Sequence, residues 1–186
     1  MTYDAVTYWT EASVNPDHQD HEARFVRTSA FIVQEQELLL TLERLDFDSI
    51  LEFGCGWGRI TKLVHDRWPD IPYRAVDLSE ERLRSAALRA RDVEFQRSTI
   101  AEYDGVGADL VLSVEVLMHQ RPEDIAAATR KLIDLAKRYV VTLDWTEPID
   151  RPAASHNFRH DYAALYGDRL LSVERIGLQS IFVATP

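Results

Sequence analysis

Three glycines at alternate positions follow a short apolar run that ends in an acid. The segment is Ile50-Leu-Glu-Phe-Gly-Cys-Gly-Trp-Gly-Arg-Ile-Thr61. Glycine lets a backbone turn pass close to a ligand where any Cβ would collide. A helical pattern follows, so the turn opens onto a helix N-terminus, whose free N–H groups favour a negatively charged group. The segment therefore predicts a strand, a ligand-binding turn and a helix in succession.

The glycine spacing differs from that of a dinucleotide-binding turn. That fingerprint is G-x-G-x-x-G, and its third glycine would fall on Arg59 or Thr61. The segment also lacks the Gly-Lys-Ser/Thr ending of a phosphate-binding P-loop. Glu52, at the strand end, would repel a pyrophosphate and attract a cation. The ligand indicated has a carboxylate for the backbone amides and an ammonium for the acid, as S-adenosylmethionine has.

The segment resembles the first motif of class I S-adenosylmethionine-dependent methyltransferases, acid-x-Gly-x-Gly-x-Gly, at Glu52, Gly54, Gly56 and Gly58. The resemblance extends from about Glu37 to the C-terminus. It implies an α/β fold with a Rossmann-like, doubly wound, seven-stranded sheet in the order 3-2-1-4-5-7-6, mostly parallel with an antiparallel C-terminal hairpin strand. It also implies a single methyltransferase domain over residues 1–186, with an N-terminal helical cap at 1–45 and a cofactor-binding core at 46–186. The alternative is a glycine-rich turn without a ligand.

The order of predicted elements agrees with that fold. Apolar runs predict strands at 49–53, 73–76, 93–96, 110–114, 139–143, 170–175 and 179–184. Helical spacing and helix-start signals, such as Ser79 and Pro122, predict helices at 20–45, 59–67, 79–90, 123–136 and 162–166. The last two strands are joined by a short turn at Gly177 with no room for a crossover helix, so they must pair antiparallel.

Composition bounds the cellular setting. The 46% hydrophobic content supports a real core, and no apolar run is long enough to suggest a membrane span. The N-terminus has neither the basic region nor the apolar segment of a signal peptide. A single cysteine, Cys55, excludes an internal disulfide. These features together lead us to expect a cytoplasmic protein with no membrane contact. We expect it to be a monomer or a homodimer.

Net charge bounds the class of partner. A formal charge of −10 makes nucleic acid a poor partner, because binding it requires a basic face that displaces counterions. The clustered arginines Arg82, Arg84, Arg89 and Arg91 are interpreted as the solvated face of a helix. We therefore expect a small-molecule acceptor and no nucleic acid.

Ligands of an open α/β sheet bind outside the carboxyl ends of the strands, at the switch point. In the implied sheet this point lies between strands 1 and 4, so the residues that follow each strand are candidates. Phe53 follows Glu52 at the end of strand 1. Asp77 follows strand 2, where a carboxylate can accept both ribose hydroxyls, or where it serves only as a helix N-terminal acid. Leu78 beside it would lie against the adenine.

The resemblance implies roles for two further loops. The loop after strand 3 lies along the adenine, and the loop after strand 4 contacts the methionine part and the sulfur of the cofactor. The candidates are Thr99, Ile100 and Ala101 in the first loop, and Ser113, Glu115 and Val116 in the second. Arg59 either binds the cofactor carboxylate or pairs with Glu115 or Asp144.

A base that removes a proton from the acceptor would come from these loops or from the cap. Neutral histidine suits that role because it titrates near the working pH. His160, after strand 5, is the first candidate and His119, after strand 4, is the second, with His156 ranked below them. The alternatives are structural: His160 with Asp161 would cap the following helix, and His119 would end a turn.

No metal is expected in the site. Asp144, Glu147 and His156 all follow strand 5, but their spacing is not diagnostic of a metal site. Aromatic residues are candidates for an acceptor pocket: Tyr8, Trp9, Trp145 and Phe158.

The sequence thus indicates a methyltransferase that acts on a small molecule, such as a biosynthetic intermediate or a sugar, with O-methylation preferred. The run Glu115-Val-Leu-Met-His119 resembles small-molecule methyltransferases, and the Asn/Asp-Pro-Pro-Tyr/Phe signature of many nucleic-acid N-methyltransferases is absent from this loop. Two alternatives remain. One is a protein or RNA methyltransferase that works with a partner, and the other is a non-catalytic module that binds S-adenosylmethionine and regulates a partner.

Overall fold

A computed structural model describes residues 3–15, 29–146 and 156–186 of the chain. Its strands are β1 (Ile50–Phe53), β2 (Tyr73–Asp77), β3 (Glu94–Arg97), β4 (Ala108–Val114), β5 (Ala136–Trp145), β6 (Leu170–Ile176) and β7 (Gln179–Ala184). Its helices are α1 (Ala5–Val14), α2 (Ser29–Leu42), α3 (Arg59–Arg67), α4 (Glu80–Arg89), α5 (Ile125–Leu135) and α6 (Tyr162–Tyr166), with 3-10 turns at Leu117–His119 and Gly167–Arg169.

The strands form one sheet in the order β3-β2-β1-β4-β5-β7-β6. The first five strands pair parallel, and β7 pairs antiparallel with both β5 and β6. The predicted fold class and strand order are therefore confirmed. The antiparallel hairpin follows from the short turn at Gly177, which adopts a positive φ of 59°.

The sheet is covered on both faces, as a parallel sheet requires. Alternation of side chains along β4 sends Leu110 and Leu112 into one core and Val111 into the other. The first core includes side chains from α2, α3 and α4. The second includes side chains from α5 and α6. The result is a helix–sheet–helix sandwich in which the carboxyl ends of the parallel strands share one edge.

Most predicted boundaries hold within a few residues, and the N-terminal region departs furthest. The predicted helix at 20–45 appears as α2, which ends at Leu42; residues 16–28 lie outside the described part of the chain. After Leu42 the backbone tightens into shorter-range bonds, from Arg44 N–H to Thr41 O and from Leu45 N–H to Leu42 O. Helix α1 was not predicted, although Asp4 caps it by accepting from Thr7 N–H at 2.7 Å.

The boundaries of the helix predicted at 123–136 and of the strand after it also differ from the prediction. Helix α5 ends at Leu135, and β5 begins at the next residue because Ala136 pairs with Ala108 of β4. Within the ranges that the structure describes, no helix combines the length and apolarity needed to cross a membrane.

Candidate active site

A cavity of about 540 Å³ lies at the carboxyl ends of the parallel strands. This volume falls within the range of small-molecule sites, roughly 300–1,000 Å³. The turn after β1 contributes Phe53 and Gly54, and the turn after β2 contributes Asp77 and Leu78. The four residues therefore meet at the switch point, as the strand order predicts.

Two further loops also line the cavity. The loop after β3 contributes Thr99, Ile100 and Ala101, and the loop after β4 contributes Glu115 and Val116. The structure thus brings together nine of the thirteen residues predicted to bind the cofactor. The other four do not line the cavity: Glu52, Gly56, Gly58 and Ser113.

The glycine turn is shaped by close approach and by left-handed backbone. Gly54, Gly56 and Gly58 all have positive φ, at 72°, 54° and 85°. A Cβ at Gly54 would collide with the Val116 side chain across the cavity edge. A Cβ at Gly58 would lie 2.9 Å from the Ala86 Cα of helix α4. The first glycine therefore keeps the site open, whereas the third permits two helices to pack.

We expect Gly58→Ala to destabilise the fold strongly, since a backbone atom cannot move away as a flexible side chain can. Left-handed backbone and overpacking together cost about 2–5 kcal/mol, which lowers Tm by roughly 4–20 °C in a chain of this size. Gly177→Ala is the matched control, because Gly177 also has a positive φ but no atom within 4 Å of an added Cβ. Thermal unfolding of both variants is the measurement, and equal losses would contradict the packing role of Gly58.

Asp77 is held at the strand end by backbone donors. Its Oδ2 accepts from Gly56 N–H and its Oδ1 accepts from Ser79 N–H, both at 2.9 Å. Ser79 in turn caps α4, accepting from Arg82 N–H at 3.3 Å. Because each carboxylate oxygen can accept more than one hydrogen bond, these contacts leave the ribose role possible, and that role stays a prediction.

Glu52 lies on the other side of β1 from the cavity. It is only 1% exposed and accepts from Thr61 Oγ1 at 2.6 Å and from Tyr73 Oη at 2.9 Å. Burial raises the pKa of Glu52 to about 7. The acid of the glycine motif therefore ties β1 to β2 and α3, and its predicted attraction for a cofactor ammonium stays a prediction.

The raised pKa of Glu52 has a consequence for stability. A carboxyl group whose folded pKa exceeds its unfolded value stabilises the fold below the unfolded pKa, and this contribution is lost as pH rises through the folded value. From an ordinary value near 4.5 to about 7, the loss is about 3 kcal/mol. We expect Glu52→Gln to remove this dependence between about pH 5 and pH 7, measured by denaturant unfolding across that range. Parallel pH curves for the variant and the native chain would contradict the assignment.

His119 lines the same cavity as Gly54 and Asp77. Its Nδ1 lies 3.0 Å from His156 O, and its ring centroid lies 4.7 Å from that of Trp9. Burial lowers the pKa of His119 to about 4. Because a carbonyl oxygen only accepts, Nδ1 carries the proton of the neutral ring and Nε2 holds the lone pair. The side chain is therefore a neutral proton acceptor at physiological pH.

His160 is not among the residues that line the cavity. Its Nε2 donates to Gln120 O at 2.9 Å, which ties the segment after β5 to the loop after β4. Burial also lowers the pKa of His160. Asp161 caps α6 by accepting from Ala164 N–H at 3.0 Å, as the structural alternative expected. The role of His160 as a base stays a prediction.

Comparison with known proteins finds similarity to methyltransferases. The methyltransferase domain family matches residues 50–138. Trans-aconitate 2-methyltransferase of Afipia carboxidovorans is 26% identical over 130 residues, which are 70% of this chain and 50% of that protein. Malonyl-[acyl-carrier protein] O-methyltransferase of Acetivibrio thermocellus is 34% identical over 113 residues, 56% of this chain and 39% of that protein. These similarities are all to methyltransferases, and the family match covers just under half of this chain.

The chain spans about half the length of most of the curated relatives that it matches. Among solved structures, magnesium protoporphyrin IX methyltransferase from Synechocystis PCC 6803, crystallised with bound S-adenosylmethionine, has a TM-score of 0.75. It is 18% identical, and the likeness covers 99% of this chain and 98% of that chain. At that identity the likeness shows the fold alone. The ligand bound to that neighbour is the cofactor that the glycine motif of this chain predicts.

Helix α1 contributes to the lining of the cavity, and the sequence indicated only part of this contribution. Trp9, predicted as an acceptor-pocket candidate, lines the cavity together with Val6. The hydroxyl of Ser79 donates to Ser13 Oγ at 2.8 Å, which joins the end of α1 to the start of α4. The signal available in the sequence was the Asp4 cap at the start of α1.

The interpretation of the arginine cluster as a solvated face was wrong for Arg82. Its side chain lines the cavity, and its guanidinium lies 5.0 Å from the centroid of the Trp9 ring. Arg84 does pair with exposed Glu80, at 2.6 Å. Arg82 sits in the first turn of α4, which rises from the strand edge beside Asp77, so its side chain reaches the site where that of Arg84 does not.

Two points from the sequence remain, namely the role of Arg59 and the question of a metal site. Arg59 Nη2 donates to Glu115 Oε2 at 3.3 Å, so the predicted pairing with Glu115 is confirmed. Over the residues whose structure is described, no group of three His, Cys, Asp or Glu side chains is arranged to hold a metal ion. Glu147 lies outside those residues.

Proposed function

We propose that this chain transfers the methyl group of S-adenosylmethionine to an oxygen of a small-molecule acceptor. The observation that carries the proposal is one continuous cavity that joins the predicted cofactor residues to a neutral histidine, His119. We assign the acceptor to the part of this cavity lined by Val6 and Trp9 of α1, by Arg82 and by His119. These residues suit a compact, partly apolar acceptor.

The cofactor, when bound, supplies a methyl group on a sulfonium leaving group. Asp77 would hold the ribose, and Gly54 with Val116 would set the methionine end against the loop after β4. Trp9 of helix α1 would exclude water from the reacting groups. His119 Nε2 would take the acceptor's hydroxyl proton as the new carbon–oxygen bond forms and the carbon–sulfur bond breaks with its electron pair left on sulfur.

The low pKa of His119 constrains the acceptor. A base with a pKa of about 4 is available throughout the neutral range but is a weak proton acceptor, since the best general base titrates near the working pH. An acidic hydroxyl, such as a phenolic or enolic group, therefore suits the site better than an alcohol. Arg82 would stabilise the oxygen anion as it forms.

A second candidate is esterification of a carboxylate. Two observations favour it: Arg82 offers a cation inside the cavity, and a matched relative is named for trans-aconitate, an acid. A carboxylate is already deprotonated at neutral pH, so this reaction needs no base.

One experiment tests the function and separates the two acceptors. The native chain is incubated with S-adenosylmethionine labelled on the methyl group and with fractions of a metabolite extract, and labelled products are isolated. Mild alkali is then applied. An ether product keeps its label, which supports the hydroxyl acceptor. A methyl ester releases labelled methanol, which supports the carboxylate. Label only in protein, in nucleic acid or on nitrogen or carbon would overturn the proposal.

A further inference from the structure

Glu115, the residue after β4, has a left-handed backbone conformation that residues other than glycine rarely adopt. It is the one non-glycine residue in the described part of the chain with a positive φ, at 57°. Such a conformation persists only where the surroundings hold it, and it is often found at functional sites. Its N–H donates to Leu143 O at 2.7 Å, which anchors the bend to β5.

Three donors from three separate elements converge on the Glu115 carboxylate. Gln179 Nε2 donates to Oε1 at 2.6 Å, Trp145 Nε1 donates to Oε1 at 3.1 Å, and Arg59 Nη2 donates to Oε2 at 3.3 Å. Arg59 also pairs with Glu35 of α2 at 3.0 Å. The carboxylate is therefore fixed from β7, from the end of β5 and from the start of α3.

Gln179 is the donor least expected from its position. It begins β7, a strand whose residues are all buried, and it is 8% exposed itself. A buried amide is costly unless it is hydrogen-bonded. Besides donating to Glu115, its Oε1 accepts from Gln34 Nε2 of α2 at 3.0 Å. Gln179 thus joins α2 and the terminal hairpin to the loop after β4.

The bend at Glu115 sets the course of the loop that leads into the cavity. The next residue, Val116, packs so closely on Gly54 that only glycine fits there. Three residues later the same loop presents His119 to the cavity. A change at Glu115 therefore alters the space between the glycine turn and the loop after β4, where the methionine part of the cofactor is expected.

We propose that Gln179 is a positioning residue of the cofactor site, acting through the Glu115 carboxylate. This inference rests on the proposed function, because it assumes that the cavity binds S-adenosylmethionine. Gln179 does not line the cavity, so its effect on the cofactor must pass through Glu115.

The test is the affinity of purified variants for S-adenosylhomocysteine, measured by calorimetry, together with their unfolding midpoints. Gln179→Leu and Glu115→Gln should each weaken binding about tenfold, the effect of losing a hydrogen bond to a charged group. Arg67→Gln is the control, since Arg67 lies on the same helix as Arg59 and its ion pair with Glu43 is exposed. It should change affinity by less than about twofold.

The double variant Glu115→Gln with Gln179→Glu separates positioning from mere stability. Gln179→Glu alone sets two carboxylates against each other. In the double variant Nε2 of the new amide at position 115 takes the place of Oε1 and donates to the new carboxylate at position 179, and the amide oxygen still accepts from Arg59, although the Trp145 contact is lost. Affinity of the double variant should rise at least about threefold above that of Gln179→Glu alone, an estimate for one restored hydrogen bond. Native-like affinity in Gln179→Leu, or no recovery in the double variant, would overturn the inference. If the native chain itself fails to bind, the proposed function fails instead.

Discussion

Replacing His119 by alanine is expected to lower methyl transfer to a hydroxyl acceptor about 100-fold at saturating cofactor, the lower end of the usual contribution of a general base. The lower end applies because burial holds the pKa of His119 at about 4, which makes it a weak base. Affinity for the cofactor should stay within about threefold, since the variant removes no predicted cofactor contact. Steady-state kinetics with calorimetry measures both quantities.

His160→Ala tests the other histidine proposed as the base, which also bonds a backbone oxygen but does not line the cavity. Its turnover should fall far less than that of His119→Ala. The acid limb of the native pH profile should lie below about pH 5, since His119 is neutral above its lowered pKa. If both variants keep turnover within about tenfold of native, well short of a general-base effect, His119 is not the base, and a carboxylate acceptor becomes the better explanation.

Asp77→Ala is expected to weaken binding of S-adenosylhomocysteine by about 10- to 150-fold, which corresponds to the loss of hydrogen bonds to a charged acceptor. The variant also removes the two backbone contacts that fix the glycine turn, so thermal unfolding is measured alongside. Glu94→Ala is the control, because its exposed ion pair with Arg74 of β2 lies away from the cavity. An unchanged dissociation constant in Asp77→Ala would show that Asp77 is only a helix-end acid.

Much of the fold was predictable because its signals are local. The acid and the three glycines fix a strand, a turn and a helix over 50–67, and the short turn at Gly177 requires an antiparallel hairpin. Helix α1 was missed because its signal, a single Asp4 cap, is weak beside the tertiary packing that stabilises it. Its end is held by a hydrogen bond between Ser13 and Ser79, 66 residues apart.

The site was predictable in its loops but not in its side-chain directions. Chain order places His119 and His160 after neighbouring strands, yet only the structure shows that His119 lines the cavity. Glu52 was predicted to bind the cofactor but does not line the cavity. Alternation of side chains along a strand places it on the opposite side of β1 from Phe53. The Gln179–Glu115 contact joins residues 64 apart, and no local pattern signals it.

The direct test of the cofactor assignment is calorimetric titration of the native chain with S-adenosylmethionine, S-adenosylhomocysteine and NAD. The glycine spacing and the cavity at Asp77 predict that both adenosyl ligands bind with a stoichiometry of one per chain and that NAD binds far more weakly. Tighter binding of NAD, or no heat of binding with either adenosyl ligand, would contradict the assignment of this cavity to S-adenosylmethionine.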